Sequence, residues 1–118
     1  MDTALHDRFT AKAGEPVRLI FNVVDQDGNA VTLTDISAVY KIARRAGQSA
    51  IMTLTQEDAG ITVSGSTVTV EYNTEDVNDG STDAVQFYGL FFDQLQITED
   101  DDALYVCEGE FVIEQVIL

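Results

Sequence analysis

Tryptophan is absent from the 118 residues, and cysteine, proline and histidine occur once each, as Cys107, Pro16 and His6. A single cysteine excludes an internal disulfide. At this length no covalent staple is needed, because a globule of this size buries roughly two thirds of the surface its unfolded chain exposes. No apolar run approaches the ~18 residues of a membrane-spanning helix, and MDTALHDRFT is not the basic-then-apolar opening of a signal segment. The expected setting is therefore a cytoplasm, or an assembly built in one. Positive charge is the other shortage. All six bases (Arg8, Lys12, Arg18, Lys41, Arg44 and Arg45) precede residue 46, where six acids balance them; from Ala46 to Leu118 there are 15 acids and no base, and the net charge is −15. Such a chain lacks the basic face that displaces counterions from nucleic-acid phosphates, which argues against DNA, RNA or an anionic membrane as a partner.

What is present is alternation of apolar and polar residues at the period of strands. PVRLIFNVVDQDGNAVTL reads as a strand from about Val17 to Val24, a turn at DQDGN and a shorter strand from about Ala30 to Leu33. ISAVYKIARR sets Ala38, Tyr40 and Ile42 on one face against Val39, Lys41 and Ala43, and ends in a basic pair. IMTLT is a short strand, and ITVSGSTVTVEY is a hairpin turning at Ser64-Gly65-Ser66 with Val68, Val70 and Tyr72 on one face. NTEDVNDGS collects capping residues, with Asn73 or Thr74 placed to start a single helical turn. DAVQFYGLFF predicts a strand from about Ala84 to Phe92, and ALYVCEGEFVIEQVIL supplies one or two more. The sum is about eight short strands with turn signals every 8 to 12 residues, the pattern of an all-β sandwich forming one domain over residues 1–118, with residues 1–12 as an extended arm.

Chemistry is sparse. DQDGN has the look of a calcium loop, but counted from Asp25 the glycine falls at position 4 and Ile36 at position 12, so a hairpin turn is expected. The stretch ITEDDDALY gathers Glu99, Asp100, Asp101 and Asp102, the ligand chemistry of a hard cation. Adjacent carboxylates on an extended chain point to opposite sides, so a site would need help from Asp79, Asp83 or Asp93; the alternative is a solvated hairpin tip. No cofactor is expected. His6 lies near the terminus and Cys107 between Val106 and Glu108 in a strand, a poor start for a nucleophile and its base, so no enzyme is expected. Lys41, Arg44 and Arg45 form the one basic cluster, read either as a solvent-facing strand end or as half of a contact with the acidic half of a neighbouring copy. Phe87, Tyr88, Phe91 and Phe92 are expected in the core, or on a partner surface if one face stays exposed.

The order of VVDQDGNAVTLTDISAVYKIARR, AGITVSGSTVTVEYNTEDVNDG, FYGLFF and EGEFVIE resembles a family of small bacteriophage structural domains with an immunoglobulin-like β-sandwich, similar to the N-terminal domain of baseplate upper proteins. The resemblance runs from about Val17 to Glu114. It departs at TEDDDALYVCEGEF, where such domains have a simple Asp-Gly hairpin. It implies an immunoglobulin-like antiparallel sandwich that is a virion component assembled in the host cytoplasm. Its partners would be capsid or tail proteins and further copies of itself, with Phe9 of the arm joining Lys41, Arg44 and Arg45 as contact residues. A capsid decoration protein is the leading expectation, with a neck, tail or baseplate part and a calcium-dependent adhesion module as alternatives.

Overall fold

Nine strands account for most of the described backbone: β1 (Asp2–Leu5), β2 (Phe9–Lys12), β3 (Pro16–Asn22), β4 (Ser37–Ala43), β5 (Met52–Thr55), β6 (Ile61–Ser64), β7 (Thr67–Asn73), β8 (Gly89–Glu99) and β9 (Asp102–Glu114). The structure, a computed structural model, describes residues 2–5, 8–12, 14–25, 27–45, 49–56, 60–74, 77, 89–99 and 102–114; of 2–5 and 102–105 it describes the backbone. His6, Asp79, Asp83, Phe87, Tyr88, Asp100 and Asp101 lie outside the described residues.

The strands form two sheets. The large one runs β1-β9-β8-β4-β5, with β2 also on β9, and the small one runs β3-β7-β6. All pairings are antiparallel except those of β1 and β2, which lie parallel to β9 end to end, Asp2–Leu5 against Tyr105–Glu108 and Phe9–Lys12 against Phe111–Glu114. This is an immunoglobulin-like β-sandwich, with nine strands where about eight were expected. Residues 2–5 and 9–12, read as part of an arm, lie along the chain's own last strand. Arg8 fastens the segment, its guanidinium donating through Nη2 to Glu110 Oε1 at 2.5 Å.

Alternation predicts the core well. Tyr40 and Ile42 from β4, Phe91, Leu95 and Ile97 from β8, and Phe111 and Ile113 from β9 point inward, opposed by Val17, Val68, Val70 and Tyr72 of the small sheet. Each fully buried large side chain contributes about 1.5–3 kcal/mol by leaving water. The β6–β7 hairpin closes through Gly65-Ser66, with Ser64 opposite Thr67. Gly65 has φ +60, the positive value required at the first central position of a type II′ turn.

Three expectations shift. Ala30–Leu33 makes no strand beyond the bridge Val24–Ala30, because Val31 N donates to Val23 O while Leu33 N donates across to Gly65 O, so no ladder continues. The single helical turn expected at Thr74 is there, Val77 N donating to the Thr74 carbonyl at 3.2 Å, but the buried Thr74 hydroxyl lies 3.1 Å from both the Lys12 and Glu15 carbonyls, tying the β2–β3 connection to the end of β7. The strand expected to end at Phe92 continues to Glu99, with Leu95 and Ile97 inward.

Candidate functional site

The β8–β9 hairpin decides where the charged groups go. Glu99 and Asp102 face each other as its last pair, and the two acids between them in sequence lie outside the described residues. A register shift beside Ile97/Thr98 leaves one residue extra on the β9 side. Such a bulge sharpens the local twist. Asp93 cannot serve the tip: it lies six residues back on β8, roughly 20 Å away at about 3.4 Å per residue. Among the described residues no three His, Cys, Asp or Glu side chains converge as metal ligands.

Asp93 instead occupies an inward position of β8, only 5% exposed, where the Tyr40 hydroxyl donates to its Oδ2 at 2.5 Å. Burial, with Tyr72 and the negative charge of Asp93 adding to it, raises the Tyr40 phenol far above its usual range. Tyr72 stacks on Tyr40 at 5.8 Å between ring centroids. Among the described residues its buried hydroxyl makes no well-formed hydrogen bond, and burial pushes it up as well, partly countered by the nearby Tyr40 hydroxyl. Cys107 is half-buried, and burial, with help from Asp93 and Glu108, raises its thiol above the ordinary value. Less thiolate forms there, the reverse of what a nucleophilic cysteine requires.

The basic cluster divides. Arg44 turns back onto the sandwich, its guanidinium 4.6 Å from the centroid of the Phe91 ring, a cation–π contact worth about 0.5–1 kcal/mol. Lys41, on the outer face of β4, and Arg45, just past its end, remain exposed and line an open hollow of about 430 Å³ on the outer face of the large sheet. Ser49, Phe92, Gln94 and Glu108 complete most of its wall. Glu108 there accepts a hydrogen bond from Gln94 Nε2 at 2.9 Å. Phe9 is half-buried and stacks on Phe111 with ring centroids 5.0 Å apart, so its ring is engaged within the chain.

The small sheet offers a different surface. β3 is its end strand, seven residues long, and among the described residues no strand pairs with its outer side. Ile20 on this strand is 56% exposed, the most exposed of the large apolar residues. The sequence reading passed over this edge, although the absence of any acid from Pro16 to Val24 in so acidic a chain was a visible signal. Asp93–Tyr40 also went unseen, and its signal was an acid at an inward step of a strand.

No protein-family model matches the chain, and no curated protein matches it in sequence.

Proposed function

We propose that the protein is a non-enzymatic structural component of a bacteriophage virion, an accessory protein of the capsid-decoration type that holds its partners by strand edges and surface patches. The observation that carries this reading is the β3 edge, on whose outer side no strand pairs among the described residues. A sheet edge beside an exposed isoleucine takes up an extended segment of another protein as an added strand. The sequence resemblance supports the same reading, since its quoted pieces fall on β4, the β6–β7 hairpin, β8 and β9 of an immunoglobulin-like sandwich. Gold-labelled antibody on particles purified from a producing culture tests it. Gold on heads is the expected result, and gold on necks, tails or baseplates would keep the virion role while moving its location. Particles without gold, together with a melting temperature raised by millimolar calcium, would replace it with a calcium-dependent adhesion module.

A further inference from the structure

The hydrogen-bond ladder along β3 has a fixed phase. Glu15 O accepts from Thr74 N at 3.0 Å before the strand, and Val23 N donates to Ser66 O at 2.8 Å after it. In an antiparallel pair such bonded positions recur at every second residue. Between them lie Val17, Leu19 and Phe21, opposite Tyr72, Val70 and Val68, so these residues turn their N–H and C=O groups to β7. Arg18, Ile20 and Asn22 turn theirs the other way, to the side on which no strand pairs among the described residues. Pro16, the preceding outward position, has no N–H to offer. The outward donors of β3 are therefore grouped symmetrically, with the exposed Ile20 at their centre.

We infer that this edge binds the same edge of a second copy, antiparallel about a two-fold axis at Ile20, so that the two small sheets join into one. The inference rests on the reading of β3 as a strand-accepting edge and names its partner. About that axis Ile20 faces Ile20 of the second copy, and Arg18 faces Asn22 of the second copy. Every outward donor then meets a carbonyl, about six backbone hydrogen bonds in all. A two-fold contact needs a patch that is complementary to itself, and a donor set centred on one residue is such a patch. Shifted registers are poorer. Sliding by two residues one way sets Asn22 against Pro16, which returns no hydrogen bond, and sliding the other way sets Arg18 against Val24, past the end of β3.

Charge and packing select the same register. Each copy carries −15, so a contact between copies must keep acids apart. The rows across the join read Glu71-Arg18-Asn22-Thr67 and Thr69-Ile20-Ile20-Thr69, the second half of each belonging to the second copy. No acid meets an acid there, and Glu71 has its own Arg18 3.7 Å away. On the core side of β3, Leu19 and Phe21 are only partly buried against the core. The centred register sets Leu19 of one copy beside Phe21 of the other, which extends the two cores into each other, and it covers Ile20 with its counterpart. Among the described residues β3 is also the longest strand at a sheet edge, seven residues against four in each of β1, β2, β5 and β6.

Sedimentation velocity of the full chain over a wide concentration range tests it, together with cysteine cross-linking that reads the register. The expected result is a monomer–dimer equilibrium that weakens by at least about tenfold in Ile20→Lys, which sets two ammonium groups against each other on the axis. No charge pair joins the copies, so association strengthens as salt shortens the Debye length from ~30 Å at about 10 mM to ~8 Å at about 0.15 M. On the axis the two Ile20 Cα atoms come about 5.5 Å apart, within disulfide reach, so Ile20→Cys forms a covalent dimer under diamide. Arg18→Cys does not, because its counterpart lies roughly 14 Å along the strand. The unaltered chain, whose thiol is Cys107, sets the background, and circular dichroism checks that each variant folds. A chain that stays monomeric at every concentration would overturn the inference and leave the edge to a strand of a different protein. A dimer indifferent to Ile20→Lys would overturn it too, as would Arg18→Cys cross-linking as readily as Ile20→Cys. Gold labelling of particles is a separate readout, so a virion protein that is monomeric in solution is distinguished from a dimer that never enters a particle.

Discussion

The two sheets share one core but are built from different materials. The large sheet contributes rings, with Phe9, Phe91 and Phe111 stacked in a row at centroid distances of 5.0 and 5.5 Å, and it buries one acid beneath the Tyr40 hydroxyl. The small sheet contributes Val17, Ile61, Val68 and Val70, the ring of Tyr72 with half-buried Phe21 packed against the core, and no buried charge among the described residues. Outside, the large sheet carries charge in the tip and the hollow. The outer face of the small sheet is mostly uncharged polar residues, Thr62, Thr67 and Thr69 among them, with Ile20 exposed at its edge. The contrast separates the two: the large sheet buries the bigger groups, and among the described residues no strand covers the β3 edge of the small sheet.

The largest test of that contrast is truncation in the core. Phe111 is fully buried and contacts three rings, so Phe111→Ala is expected to cost about 3–5 kcal/mol in denaturant unfolding. Val68 is equally buried on the small sheet, yet Val68→Ala removes only two carbons and should cost about 2 kcal/mol. Equal losses would break the claim that the large sheet dominates stability.

The two tyrosines sharpen it. Tyr40→Phe strips Asp93 of a buried donor and should cost about 2 kcal/mol, in line with hydrogen bonds to charged groups. Tyr72→Phe removes a buried hydroxyl with no well-formed hydrogen bond among the described residues, so it should change stability by less than about 1 kcal/mol. Alkaline pH checks the same pair. Both phenols are raised in the folded chain, whereas unfolded tyrosine ionises near pH 10. Above that pH the unfolded chain releases protons that the folded chain keeps. Stability is therefore complete below about pH 10 and falls above it, by up to about 1.4 kcal/mol per pH unit for each tyrosine. Tyr40→Phe should roughly halve the slope, and an unchanged slope would show that Tyr40 is not held protonated by its surroundings.

The sequence made most of this legible where inward positions were apolar. Ala38, Tyr40 and Ile42, and Val68, Val70 and Tyr72, alternate as expected because each inward step is a hydrophobic residue. The reading of β8 stopped at Phe92 because Asp93 breaks that rule; a partner 53 residues away, the Tyr40 hydroxyl, helps make a buried carboxyl tolerable, and spacing along one strand cannot reveal it. The parallel seat of β1 and β2 on β9 was hidden for a similar reason, since it joins the two ends of the chain. Of the candidate site, the acidic tip was visible as a charge run. The basic cluster was visible only as three neighbours, because it takes the packing of Arg44 on Phe91 to separate one cation from the other two.

The smallest expected effect lies at the β3 edge, where stability and binding should part. Arg18 and Glu71 are exposed, with side chains 67% and 63% accessible, so their 3.7 Å approach is screened by water and Arg18→Ala should change unfolding by less than about 0.5 kcal/mol. Ile20→Lys belongs to the same class for folding, because its side chain already faces solvent and lysine tolerates an edge strand. The two should differ in assembly. A lysine on the free edge obstructs an incoming strand, so Ile20→Lys should reduce incorporation into particles, whereas Arg18→Ala should leave it near normal. Normal incorporation of Ile20→Lys would move the contact off the small sheet and onto the charged surfaces of the large one.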